Sequence, residues 1–135
     1  MIKRDEEILM MARTIWAEAR GESRLGRLGV GSVIKNRVDT SRRFGRSVTE
    51  VVLAPKQFSC YNRAVSIKRL LQPTRYDSKS VWEKCLAIAE DVMSGKVDDP
   101  TDGATHYCRY DCHPKWREKM IETTRIGSHV FMREA

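Results

Sequence analysis

The chain has 135 residues, enough for one domain whose core needs no disulfide or metal staple. Charged residues are 32% and hydrophobic residues 41%, which excludes a disordered chain, and no apolar run approaches the ~20 residues that span a bilayer. A net charge of +7 calls for a polyanionic partner, either a nucleic acid or an anionic surface such as a cell envelope.

The start, Met1-Ile2-Lys3-Arg4-Asp5-Glu6-Glu7, runs straight into a helix and offers no signal-peptide core. Synthesis in a cytoplasm, with export left to another factor, is the expectation. Asp5 is placed to cap a helix over about 6–20, with Glu6 and Glu7 favourable in its first turn and Gly21 as its stop. Ile8, Ala12, Ile15 and Ala19 form its apolar stripe. Glu18 and Glu22 are four residues apart, on the border of that stripe, so on a helix they share one side. Like charges at this spacing repel, and a purely structural helix more often places a Lys or Arg at one of them. Packed by Trp16 or Met11, a border carboxylate loses solvent, its pKa rises, and it becomes suited to general-acid work. The plain alternative is a solvated helix end balanced by Arg20 and Arg24.

Ser23 can cap a second helix, Arg24 to about Val38, with Val30, Val33 and Ile34 on its apolar face. Its Gly26, Gly29 and Gly31 cost helix propensity, which predicts close packing against the first helix in a hairpin with Glu18 near the open end. Residues 39–47 are loop-like, and Ser47 or Thr49 caps a short helix over 48–53. The next stretch, residues 54–62, breaks regular structure. Its Gln57, Phe58 and Ser59 suit a cleft wall that stacks on sugar rings, unless the aromatics simply plug the core.

Pro73 ends any helix in 64–71. Ser78 or Ser80 caps a helix from Val81 to about Ser94, which Gly95 terminates. The acidic loop 98–103 lacks EF-hand spacing and reads as solvated turns. Thr105 to Tyr107 reads as extended, Trp116 to Thr123 as a short helix, and 126–132 as a strand-like ending. The fold class is mainly α (α+β), with a small β or irregular part, in a single domain over residues 1–135.

Cys60, Cys85, Cys108 and Cys112 read as reduced thiols, with a Cys108–Cys112 disulfide left open for an oxidising space. His106, Cys108, Cys112 and His113 fall within eight residues, but their spacing matches no common zinc pattern. No metal or other cofactor is expected. The basic residues, spread as Arg42-Arg43, Arg46, Lys68-Arg69 and Lys115-Arg117-Lys119, carry no nucleic-acid motif.

Five separated pieces then match one family in order. They are residues 12–22 around Ile15-Trp16-Ala17-Glu18-Ala19-Arg20-Gly21-Glu22, residues 30–38 through Asn36-Arg37, Gln57-Phe58-Ser59-Cys60, residues 99–107 ending in His106-Tyr107, and Ile126-Gly127-Ser128-His129-Val130-Phe131. The sequence resembles the catalytic domain of cell-wall hydrolases related to spore cortex-lytic enzymes, which also occurs in phages. The resemblance covers nearly the whole chain and departs from the family pattern around residues 108–113. It implies a lysozyme-like, mostly helical fold acting on peptidoglycan as a muramidase or lytic transglycosylase. It carries the family's catalytic acid to Glu18 and points to Gln57, Phe58, Ser59 and Tyr107 as substrate-binding residues. Without a signal peptide or wall-binding domain, a phage-type endolysin is the expected member, a monomer acting at the wall after release. Glu22 is the candidate second carboxylate, or a structural residue. The competing classes are a basic nucleic-acid-binding module, which leaves Glu18 and Glu22 without a role, and a zinc amidase or peptidase built on the His106 cluster.

Overall fold

The computed structural model describes residues 2–40, 42–54 and 71–135. Gln57, Phe58 and Ser59 lie outside the described residues, as does the expected helix over 64–71 apart from Leu71. Among the described residues five helices come first, namely α1 (Ile2–Ala19), α2 (Arg24–Thr40), α3 (Val48–Leu53), α4 (Pro73–Tyr76) and α5 (Lys79–Ser94). A sheet follows, made of β1 (His106–Arg109), β2 (Met120–Ile126) and β3 (His129–Glu134), with a 3-10 turn at Lys115–Lys119.

The helix caps follow the sequence. Ser23 Oγ accepts from Gly26 N at 3.2 Å, Ser47 Oγ from Glu50 N at 3.2 Å, and Ser78 Oγ from Val81 N at 3.2 Å. Gly95 ends α5 with a left-handed φ of +73°. The start of α1 differs from expectation, because Ile2-Lys3-Arg4 tolerate helix and extend it past Asp5, which lies in the first turn. Glu7 then falls inside the helix, and its Oε2 accepts from both the N–H and the hydroxyl of Thr49 at 2.8 Å. A buried carboxylate thus holds the N-terminus of α3 instead of its own helix.

The core is built mainly between helices, from Met11, Ala12, Ile15 and Trp16 of α1, Val30 and Ile34 of α2, and Cys85, Ile88 and Ala89 of α5. Val33, Ile126 and Phe131 join α2 to the sheet in a second cluster. The three glycines of α2 serve three different neighbours. Only Gly31 faces α1, where a Cβ would stand 3.2 Å from Ile15 Cδ1. A Cβ on Gly29 would stand 2.6 Å from Phe131 Cζ, and one on Gly26 would stand 2.8 Å from Glu22 Cβ. The sheet, which sequence periodicity left small and irregular, takes one of the close approaches.

All three strands are antiparallel in the order β1-β3-β2. The helix expected over 116–123 stops at Lys119, and the rest becomes β2. Ile121, Thr123 and Thr124 are β-branched and favour a strand, and β3 supplies a partner edge. A bulge at Thr123 is closed by its hydroxyl, which donates to Phe131 O at 3.2 Å. The strand-like ending is a hairpin. Ile126 pairs with His129 across Gly127-Ser128, and Gly127 has the positive φ, +57°, that a tight two-residue turn requires.

Candidate active site

Glu18 occupies the last turn of α1 and is half-buried. Its Oε1 accepts a hydrogen bond from the Tyr107 hydroxyl at 2.5 Å. Burial pushes the Glu18 carboxyl above its ordinary pKa of 4.5, and the Tyr107 bond opposes this without cancelling it. A carboxyl that keeps its proton above the usual range, with one oxygen located by a phenol, is equipped as a general acid.

Tyr107 is brought to Glu18 by β1, across 89 residues of sequence. Its register partner is Phe131, so both side chains stand on the face turned to the helices. The Tyr107 ring packs at 4.9 Å from the His129 ring and 5.8 Å from Phe131. The approach to β1 is tied to α2. Arg37 Nε donates to Thr105 O at 2.6 Å, and Asn36 Nδ2 donates to Ala104 O and Asp99 Oδ2, both at 2.9 Å. Burial lowers the Arg37 pKa to about 10, which still leaves it cationic at neutral pH. Burial also pushes the Asp99 carboxyl up, but hydrogen bonds from Thr101, Asn36 and Gly103 outweigh it and hold the group below its ordinary range. The acidic loop is therefore an Asp99-centred turn, with Thr101 N at 2.7 Å and Gly103 N at 2.9 Å from the carboxylate.

Glu22 is placed differently from its sequence reading. Helix α1 ends at Ala19, and Glu22 sits in the following turn with its N–H donating to Ala19 O, so the two glutamates do not share a helix face. Glu22 Oε1 accepts from Ser128 N at 3.0 Å, and Oε2 accepts from the Ser128 hydroxyl at 3.1 Å. The Ser128 backbone bond is the largest cause holding its carboxyl below 4.5. Gly127 makes this docking feasible, because a Cβ there would lie 2.6 Å from Glu22 Oε1. The next residue, His129, is buried, and its Nδ1 has no hydrogen-bond partner among the described residues. Burial lowers its pKa, against the attraction of Glu22. Arg20 does not balance Glu22. Its guanidinium lies over the Trp16 ring at 4.4 Å and 3.5 Å from Asp77.

The four candidate zinc ligands do not converge on one point, although Cys108 and Cys112 are neighbours, with the Cys108 sulfur 3.6 Å from Cys112 O. His106 packs between Phe44 and Trp116 and is held near pKa 4 by burial and by Arg37 and Arg43. Cys108 turns toward Arg117, while Cys112 and His113 are exposed. Among the described residues no group of three or more His, Cys, Asp or Glu side chains is arranged to hold a metal. An open groove of about 700 Å³ between Arg4, Ile8 and Leu9 of α1 and Leu86 and Glu90 of α5 lies toward the opposite end of α1 from Glu18. It mixes charges without a buried acid.

Sequence reasoning missed Arg37, Ser128 and His129 as parts of this site. The signals were present in Asn36-Arg37 at the end of a helix and in Gly127-Ser128 as a hairpin turn. Neither says which distant backbone or carboxylate it will meet.

Residues 21–132 match the family model described as Cell Wall Hydrolase. The spore cortex-lytic enzyme of Bacillus cereus is 33% identical over 127 residues, covering 93% of this chain and 43% of the relative. That of Bacillus subtilis is 29% identical over 129 residues, covering 94% of this chain and 37% of the relative. The chain thus spans less than half the length of the curated relatives it matches. The crystal structure of the catalytic domain of the Bacillus cereus SleB protein superposes with a TM-score of 0.75 at 31% identity, over 96% of this chain and 91% of that one. The catalytic domain of the germination-specific lytic transglycosylase SleB from Bacillus anthracis gives 0.74 at 30% identity, over 94% and 93%. Sequence motifs, helix-and-sheet architecture and these likenesses agree that the chain belongs to the cell wall hydrolase family.

Proposed function

We propose that this protein cleaves the glycan strands of peptidoglycan as a lytic transglycosylase, with Glu18 as its catalytic acid. The observation that carries this reading is the half-buried Glu18 carboxyl with its raised pKa and its 2.5 Å bond to Tyr107. The protonated carboxyl would give its proton to the oxygen joining N-acetylmuramic acid to N-acetylglucosamine as that bond breaks. Charge developing on the muramic ring would be met by the sugar's own N-acetyl group. The sugar's 6-hydroxyl would then close onto the anomeric carbon, passing its proton to Glu18 and restoring the acid. Tyr107 would hold the carboxylate during the half of the cycle in which it is ionised.

A two-carboxylate glycosidase places its second carboxyl about 5–9 Å from the acid, free to act on water or sugar. Both oxygens of Glu22 are occupied by Ser128, which favours Glu22 as a positioning residue and the anhydro-forming route over hydrolysis. The likeness to a Bacillus anthracis lytic transglycosylase supports the same choice. Gln57, Phe58 and Ser59 remain candidates for orienting sugar groups. An anionic envelope is the surface to which the +7 chain would be drawn.

Mass spectrometry of the soluble fragments released from purified peptidoglycan tests the reading. Anhydro-muramic ends are expected. Reducing muramic ends would mean water is the acceptor, and cleaved peptides on intact glycan would overturn the glycosidase reading altogether.

A further inference from the structure

Cys108 lies in β1, one residue before its end, and Cys112 closes the turn that follows the strand. The turn is closed by Cys112 N donating to Arg109 O at 3.0 Å. The Cys108 thiol donates to Cys112 O at 3.6 Å, so its sulfur already rests against the backbone of the second cysteine. Arg117 converges on the same spot. Its Nη1 donates to Cys112 O at 2.5 Å and lies 3.9 Å from Cys108 Sγ. Register puts Cys108 opposite Val130, on the sheet face away from the Tyr107–Glu18 pair, and Cys112 is exposed to small reagents. Both are free thiols, and neither has a role in the acid–base chemistry.

From this convergence we propose that Cys108 and Cys112 are a dithiol modification site, closed to a disulfide by small-molecule disulfides such as oxidised glutathione. The exposed Cys112 thiolate attacks one sulfur of the reagent, forming a mixed disulfide and expelling one thiolate. Burial raises the Cys108 pKa against the opposing pull of Arg117, so its thiol loses its proton to solvent as the slower step. It then attacks the Cys112 sulfur, forming the Cys108–Cys112 bond and expelling the second thiolate. Two protein thiols are oxidised, one reagent disulfide is reduced to two thiols, and atoms and electrons balance. The product is a short covalent latch on the end of the strand that carries Tyr107.

The test does not depend on wall cleavage, so its failure is separate from failure of the proposed function. Purified protein is incubated with oxidised glutathione, remaining thiols are blocked, and the product is digested with trypsin without reductant. Cleavage after Arg109 separates the two cysteines, so the latch holds Val97–Arg109 to Tyr110–Lys115 as one species that reductant splits. That linked pair is the expected result, with a rise in Tm of a few degrees that reductant reverses. C112S should leave Cys108 unlinked while keeping the fold. Stable glutathione adducts on both cysteines, or pairing of either with Cys60 or Cys85, would overturn the proposal.

Discussion

At Glu18 two opposed effects act on one carboxyl, and burial wins over the Tyr107 bond. Cleavage that needs the protonated acid should therefore fall as pH rises through this raised pKa. Tyr107→Phe removes a bond that favours the ionised form, so the pKa should climb further and the falling limb should move to higher pH. A pH–rate profile checks this, and an unmoved limb would separate Tyr107 from the acid. Glu18→Gln should lose about 10²–10⁴-fold in fragment release. The same variant should unfold at an equal or higher temperature at pH 7. A group with a raised folded pKa contributes its stability below the ordinary value of 4.5 and loses it as pH rises through the folded value, so neutral Gln removes a cost. Near-normal release by folded Glu18→Gln would remove Glu18 from the acid role.

Among elements, the joint between the α1–α2 turn and the β2–β3 hairpin rests on one carboxylate. Glu22→Gln keeps the shape but removes the charge that strengthens both Ser128 bonds, and should cost about 1–2 kcal/mol in urea unfolding. Because the Glu22 pKa is lowered, its contribution is present above 4.5 and fades as pH falls through the folded value. The gap between wild type and variant should close in acid. Anhydro-forming products from the variant would agree with a positioning role, and a switch in product type would point to chemistry at Glu22. A second joint is α2 against β3. Gly29→Ala puts a methyl group 2.6 Å from the buried Phe131 ring and should cost about 1–3 kcal/mol by overpacking, read in the same unfolding experiment.

For the whole molecule, a charge of +7 is a long-range property that no single contact expresses. Pull-down by insoluble peptidoglycan should weaken as salt shortens the Debye length to about 8 Å at physiological ionic strength and below that in higher salt. Binding indifferent to salt would remove electrostatic capture from the account.

Local chemistry was legible in the chain itself. Ser23, Ser47 and Ser78 cap the helices they precede because a cap is satisfied within three residues. Of the apolar stripe of α1, Ala12, Ile15 and Ala19 are buried and Ile8 is half-buried against the core, because helical spacing needs no distant information. The family motifs likewise marked Glu18 and Tyr107 without saying that they touch. Tertiary structure decided the rest. It made residues 120–126 a strand by offering the edge of β3, sent Gly29 to Phe131 instead of α1, and turned Glu22 from a helix neighbour of Glu18 into the partner of Ser128. The physical reason is common to all three. A strand edge, a close approach and a doubly hydrogen-bonded carboxylate are each satisfied by groups far along the chain, and sequence spacing carries no distance between them.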